Sequence, residues 1–130
     1  MNENIFSPKG KIDQSTFIIY FILLTIVYFV VGFFGFPILA KHKINIWIPN
    51  IILGFINLLV FFNYKKRIMD FSNNLAASVF WGLVVTLDHL FVPFAIMTKT
   101  PNSEVIFLFG IIFAFCIQPA IVGFLPSKNK

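Results

Sequence analysis

Four stretches nearly empty of charge divide this chain, and they decide what it can fold into. They run from Thr16 to Leu39, Ile46 to Tyr64, Ala76 to Met97 and Val105 to Leu125. Each holds about 19–24 residues, which at about 1.5 Å rise per residue makes a helix of about 30 Å. That length matches the hydrocarbon core of a bilayer. The longest piece outside them is residues 1–15, too short for a soluble catalytic domain.

Composition agrees with the blocks. Apolar residues make up 58% of the 130 and charged ones only 12%, which excludes an ordinary soluble domain. The expected fold is all-α: one polytopic domain over residues 1–130, with four transmembrane helices. A cleaved signal peptide competes for the first block. Its apolar part would be shorter, however, whereas here Ile38-Leu39-Ala40 follows a full-length span. Asp13 or Ser15 is placed to cap the first helix. Gly32 and Gly35 share a face suited to close packing, and Pro37 is expected to end or bend the helix.

The net charge of +5 would suggest nucleic acid in a soluble chain. In a membrane protein it marks cytoplasmic segments and favours anionic lipid headgroups instead, so no nucleic-acid partner is expected. Cations cluster near the N-terminus (Lys9, Lys11), between the second and third blocks (Lys65, Lys66, Arg67) and near the C-terminus (Lys128, Lys130). Fewer stand on the other side, at Lys41, Lys43 and Lys99. The positive-inside rule then puts both termini in the cytoplasm, as an even number of spans requires. Trp47 heads the second block, where an indole sits among headgroups.

The most basic run, Asn63-Tyr64-Lys65-Lys66-Arg67-Ile68-Met69-Asp70, reads as a cytoplasmic loop. Lys65, Lys66, Arg67 and Asp70 are its candidate lipid- or partner-binding residues. Arg67 and Asp70 are spaced for an ion pair worth a few tenths of a kcal/mol if exposed. Two segments of the chain together resemble a known family. Gly10-Lys11-Ile12 followed by Phe17 is similar to the Gly-Arg-Ile-Ser-x-x-x-Phe opening of the YhaH-like proteins, small bacterial inner-membrane proteins grouped as a domain of unknown function. Lys66-Arg67-Ile68-Met69-Asp70 occupies the place of that family's Arg-Arg-Leu-His-Asp-x-Gly stretch. Met69 replaces the His, and Ser72 stands where the Gly would be. Pro126 and Asn129 echo a final Pro-Gly-x-x-x-Asn signature. The resemblance implies a multi-pass location in the bacterial inner membrane and carries no activity with it.

Motifs of catalysis are absent: no Walker loop, His-Glu-x-x-His, Cys-x-x-Cys or Gly-x-Ser-x-Gly occurs. His42, His89 and the lone Cys116 lie in separate segments, so the expectation is no enzyme, no metal and no cofactor. Several polar residues instead fall inside the blocks. Asn50, Gly54 and Asn57 share a helix face as a packing seam, and so do Ser78, Gly82, His89 and Pro93. Ser72, Asn73 or Asn74 can cap the third helix. Gly110 and Ala114 form a small-xxx-small pair, and Gln118-Pro119 interrupts the last block.

Asp88-His89 is the costly feature. An Asp at a helix centre costs about 2.5–3.5 kcal/mol against about 3–6 kcal/mol returned by the Leu, Ile, Phe and Val of the same block. Two readings stay open. Either the pair is buried and paired, a functional candidate by default, or the helix starts nearer Phe71, ends before Asp88 and leaves the pair wet. Counting depth from the inner ends predicts a polar layer of Tyr28, Asn50, Asp88 and His89, with Asn57 and Gln118 forming a second. Two functions follow: a structural or regulatory component contacting anionic lipid, a membrane-protein partner or a second copy, or a proton- or ion-conducting element using Asp88 and His89.

Overall fold

The computed structural model describes residues 4–7, 9–45, 47–97 and 102–127, without the side chains of Phe36, Ala40, Pro49, Asn50, residues 88–97, Ser103 and Phe107. Every regular element among them is helical. The first rod is α1 (Gln14–Val30), a π-helical turn (Val31–Gly35) and α2 (Phe36–Lys41). Then come α3 (Trp47–Ser72) and α4 (Leu75–Met97). The last rod is α5 (Ser103–Ile112), a second π turn (Phe113–Ile117) and α6 (Gln118–Phe124).

Local chemistry sets the helix ends. Asp13 is extended (φ −77°, ψ 176°), and its carboxylate accepts from the Thr16 N–H at 2.8 Å, capping α1. Asn73 takes a left-handed φ of 53° as its N–H reaches the Met69 carbonyl at 3.0 Å, which ends α3. Asn74 then caps α4, its Oδ1 accepting from the Ala77 N–H at 3.1 Å. Only two residues therefore separate the long helices of this hairpin.

That turn corrects one expectation. The basic run is no loop, because α3 continues unbroken through Lys65, Lys66, Arg67 and Asp70 to Ser72. The reason is local: no Gly or Pro interrupts residues 64–72, and Arg67 and Asp70 pair one turn apart. Among the described residues, two rods are long and apolar enough to cross a membrane: Gln14–Leu39 and Glu104–Phe124.

Pro37 does not end its rod, which runs on to Lys41. Each π turn finishes two residues before a proline, Pro37 in one rod and Pro119 in the other. A proline lacks an N–H and crowds the carbonyl four residues back, and a widened turn just before it accommodates both problems. Phe115, in the second π turn, lies 5.6 Å from the Tyr28 ring and 5.1 Å from Phe29, joining the two rods.

The interior is built around the middle and C-terminal end of α3. Phe17, Phe21, Leu24 and Tyr28 form the buried stripe of α1, at spacings of four, three and four. Tyr64, fully buried, meets Phe17 and Phe21 edge-on at 5.1 and 6.1 Å. Glycines bring backbones close at two crossings. A methyl group on Gly82 would lie 3.1 Å from the Phe61 ring and 3.5 Å from the Lys65 Cα, and one on Gly123 would lie 3.4 Å from the Phe17 ring. Gly54 lies on an exposed face, with nothing among the described residues close against it.

Candidate functional site

At the C-terminal end of α3 the chain buries the side chains that a charge count places on the surface. Lys66 is 1% exposed, Arg67 0% and Asp70 5%, while Lys65 is half-buried. Fully desolvated ions are stable only with close partners. Arg67 has them: Nη1 donates to Asp70 Oδ2 at 2.5 Å and to Ser127 Oγ at 3.2 Å. Nη2 donates to the Gly123 carbonyl at 3.1 Å and to the Leu125 carbonyl. Ser127 in turn donates to Asp70 Oδ2, closing the network. The guanidinium also stands 6.0 Å over the Phe71 ring.

This arrangement solves a backbone problem. The last carbonyls of α6 lack intrahelical donors, and a planar five-donor fork from α3 reaches two carbonyls there at once. The positive charge also sits at the negative end of the helix dipole. Asp70 holds the fork in plane and neutralises it. Asn63, one turn before Arg67, donates to the Phe17 carbonyl at 3.2 Å and ties α1 to the same end.

The N-terminal segment closes the other side. Lys66 Nζ donates to the Asn4 carbonyl, and Lys11 Nζ donates to Asn73 Oδ1 at 2.6 Å. Residues 4–7 form a turn closed by two bonds to Asn4: Ser7 N–H donates to the Asn4 carbonyl and Phe6 N–H to Asn4 Oδ1. Phe6 then stacks on Phe55 of α3 at 6.4 Å, and Ile12 is fully buried.

Burial pushes the Lys66 ammonium below the usual lysine range, and the neighbouring Lys65 charge lowers it further. The folded state therefore binds fewer protons than the unfolded one between the lowered value and the normal lysine value of about 10.4. Stability is expected to rise with pH across that window, with the penalty fully present below it. Lys66→Met should flatten this rise when unfolding is followed from neutral pH upward. A slope unchanged in the variant would assign the dependence to another group.

Of the residues expected in a polar layer, Tyr28 is buried, beside Leu24, Thr25, Val60 and Phe115. The side chains of Asn50, Asp88 and His89 lie outside the described residues. Asn57 and Gln118 are buried, and Asn57 donates back to the Leu53 carbonyl at 3.0 Å. Sequence reasoning missed Ser127 and Asn4, because nothing in a tail residue's identity announces a partner about 60 positions away. Comparison with protein-family models, with curated proteins and with solved structures returns no match.

Proposed function

We propose that this chain is a four-span inner-membrane protein with both termini cytoplasmic, acting as a structural or regulatory component rather than an enzyme. The observation that supports it most is an inside-out distribution of side chains. Large apolar residues face outward, among them Ile19 at 56%, Ile51 at 69%, Leu87 at 62% and Phe109 at 68% exposed. Buried positions meanwhile include Asn57, Asn63, Lys66, Arg67, Ser78 and Gln118. In water that surface would aggregate, whereas in lipid it is the stable arrangement.

The basic end has two roles in this reading. Lys66 and Arg67 organise the bundle from within. Lys65, Lys11 and Lys9, half-buried or exposed, stand at the same end of α3, where anionic headgroups or an acidic partner would meet them. The resemblance to the YhaH-like proteins supports the location.

Threading tests the proposal. A reporter active only outside the cytoplasm should be silent when fused after Lys130 or inserted at Asn73. It should be active when placed at Lys43 or Asn102. Activity of the Lys130 fusion would reject the four-span arrangement.

A further inference from the structure

Contacts near the inner end fix which residues of the four rods share one level. Gly82 lies against the Lys65 backbone, Asn63 bonds the Phe17 carbonyl at 3.2 Å, and Gly123 lies against the Phe17 ring. Arg67 reaches the Gly123 carbonyl at 3.1 Å. Lys65, Trp81-Gly82, Phe17 and Gly123 therefore mark one plane across the bundle.

A second plane follows from helix rise. Eighteen residues back from Lys65 along α3 is Trp47, about 27 Å away. The same step from Phe17 reaches Gly35, and from Gly123 it reaches Val105, next to Glu104 at the start of α5. About 27 Å is close to the thickness of a bilayer's hydrocarbon core. Between the planes, the four helical segments carry no Lys, Arg or Glu and one Asp, Asp88. Cations flank both sides: Lys65, Lys66 and Arg67 at one, Lys41 and Lys43 at the other. Trp47 and Trp81 stand one at each plane, 68% and 55% exposed.

Resting on the membrane reading above, we propose that Trp47 and Trp81 are the two interfacial anchors of this chain. They hold it in a bilayer about 27 Å thick in its hydrocarbon, at the planes just described. The last two turns of α3, with Lys66, Arg67 and Asp70, and the first turn of α4 then lie beyond the hydrocarbon. Phe6 is the exception: its ring stacks on Phe55, ten residues and about 15 Å from Lys65 along α3, while the Phe6 and Ser7 N–H groups bond to Asn4. The hairpin register also separates two residues. Asp88 lies level with residue 59, about 9 Å from the inner plane, whereas Asn50 lies about 4.5 Å from the outer one.

These are the only two tryptophans in the chain, so each reports alone once the other is replaced. Trp47→Phe and Trp81→Phe variants are reconstituted in phosphatidylcholine vesicles with a minor phosphatidylglycerol fraction, using lipids brominated at shallow or deep acyl carbons. Both fluorophores should be quenched most by the shallow labels, at similar depths of about 13 Å from the bilayer centre. Strongest quenching of Trp81 by the deepest label would overturn the assignment while leaving the membrane reading intact. Absence of quenching at every label position would reject the membrane reading itself. Wild-type protein gives an independent measurement: its resistance to unfolding in a series of acyl-chain lengths should peak near 27 Å of hydrocarbon. A peak displaced by two carbons or more, on the order of 4 Å, would overturn the assignment as well.

Discussion

Arg67→Met is expected to destabilise the folded chain by about 3–5 kcal/mol, the largest single-residue effect in this structure. Removing one partner of a buried pair strands the other, and here Asp70, 5% exposed, would keep the Ser127 hydroxyl as its side-chain partner among the described residues. The Gly123 and Leu125 carbonyls would lose their donor in the same step. Denaturant-driven unfolding in mixed micelles measures the loss. Two further variants identify its cause. Arg67→Lys keeps the charge but not the fork, so it should recover only part of the stability. Arg67→Met with Asp70→Leu removes both charges and should be more stable than Arg67→Met alone. A double variant worse than the single one would show that the charges are not coupled as the geometry implies.

Tyr64→Ala should cost about 2–4 kcal/mol through the cavity it leaves among Phe17, Phe21 and the inner end of α3. This cost does not depend on water. If lipid surrounds the bundle, burial from water no longer drives helix association, but lost contacts between close-packed side chains still count. Tyr64→Phe retains both edge-on ring contacts and should cost far less. Equal losses from the two substitutions would move the effect from packing to the hydroxyl.

What the sequence made legible follows from which forces are local. Capping is local, and Asp13 and Asn74 were among the residues expected to cap α1 and α4. Helical character is also local, since unbroken apolar stretches fold as helices in any environment that leaves no water for the backbone. The length of α3 was harder to see. Hydropathy falls at Tyr64, while the backbone responds to breakers and meets no Gly or Pro between there and the turn at Asn73. The π turns left no signal except the prolines that follow them.

Burial of Lys66 and Arg67 was the least legible feature. Charge patterning assigns cations to a solvated surface, and that rule fails where a helix end elsewhere in the chain needs donors. The spacing of Arg67 and Asp70 was visible, but the carbonyls that make Arg67 worth burying lie 56 and 58 positions away. Along the face shared by Gly54 and Asn57, Asn57 is buried while Gly54 meets no neighbour among the described residues, because small size permits close packing but does not supply the neighbour.

The clamp also has an order in time. Arg67 leaves the ribosome 56–60 residues before the groups it binds at Gly123, Leu125 and Ser127. At synthesis rates of about 5–20 residues per second, that gap lasts about 3–12 s. Through those seconds Asp70, three residues away, is the partner already synthesised beside the guanidinium. The short-range pair can therefore form before the carbonyls at Gly123 and Leu125 exist. The two bonds to α6 close only after the last rod has been delivered beside the first three.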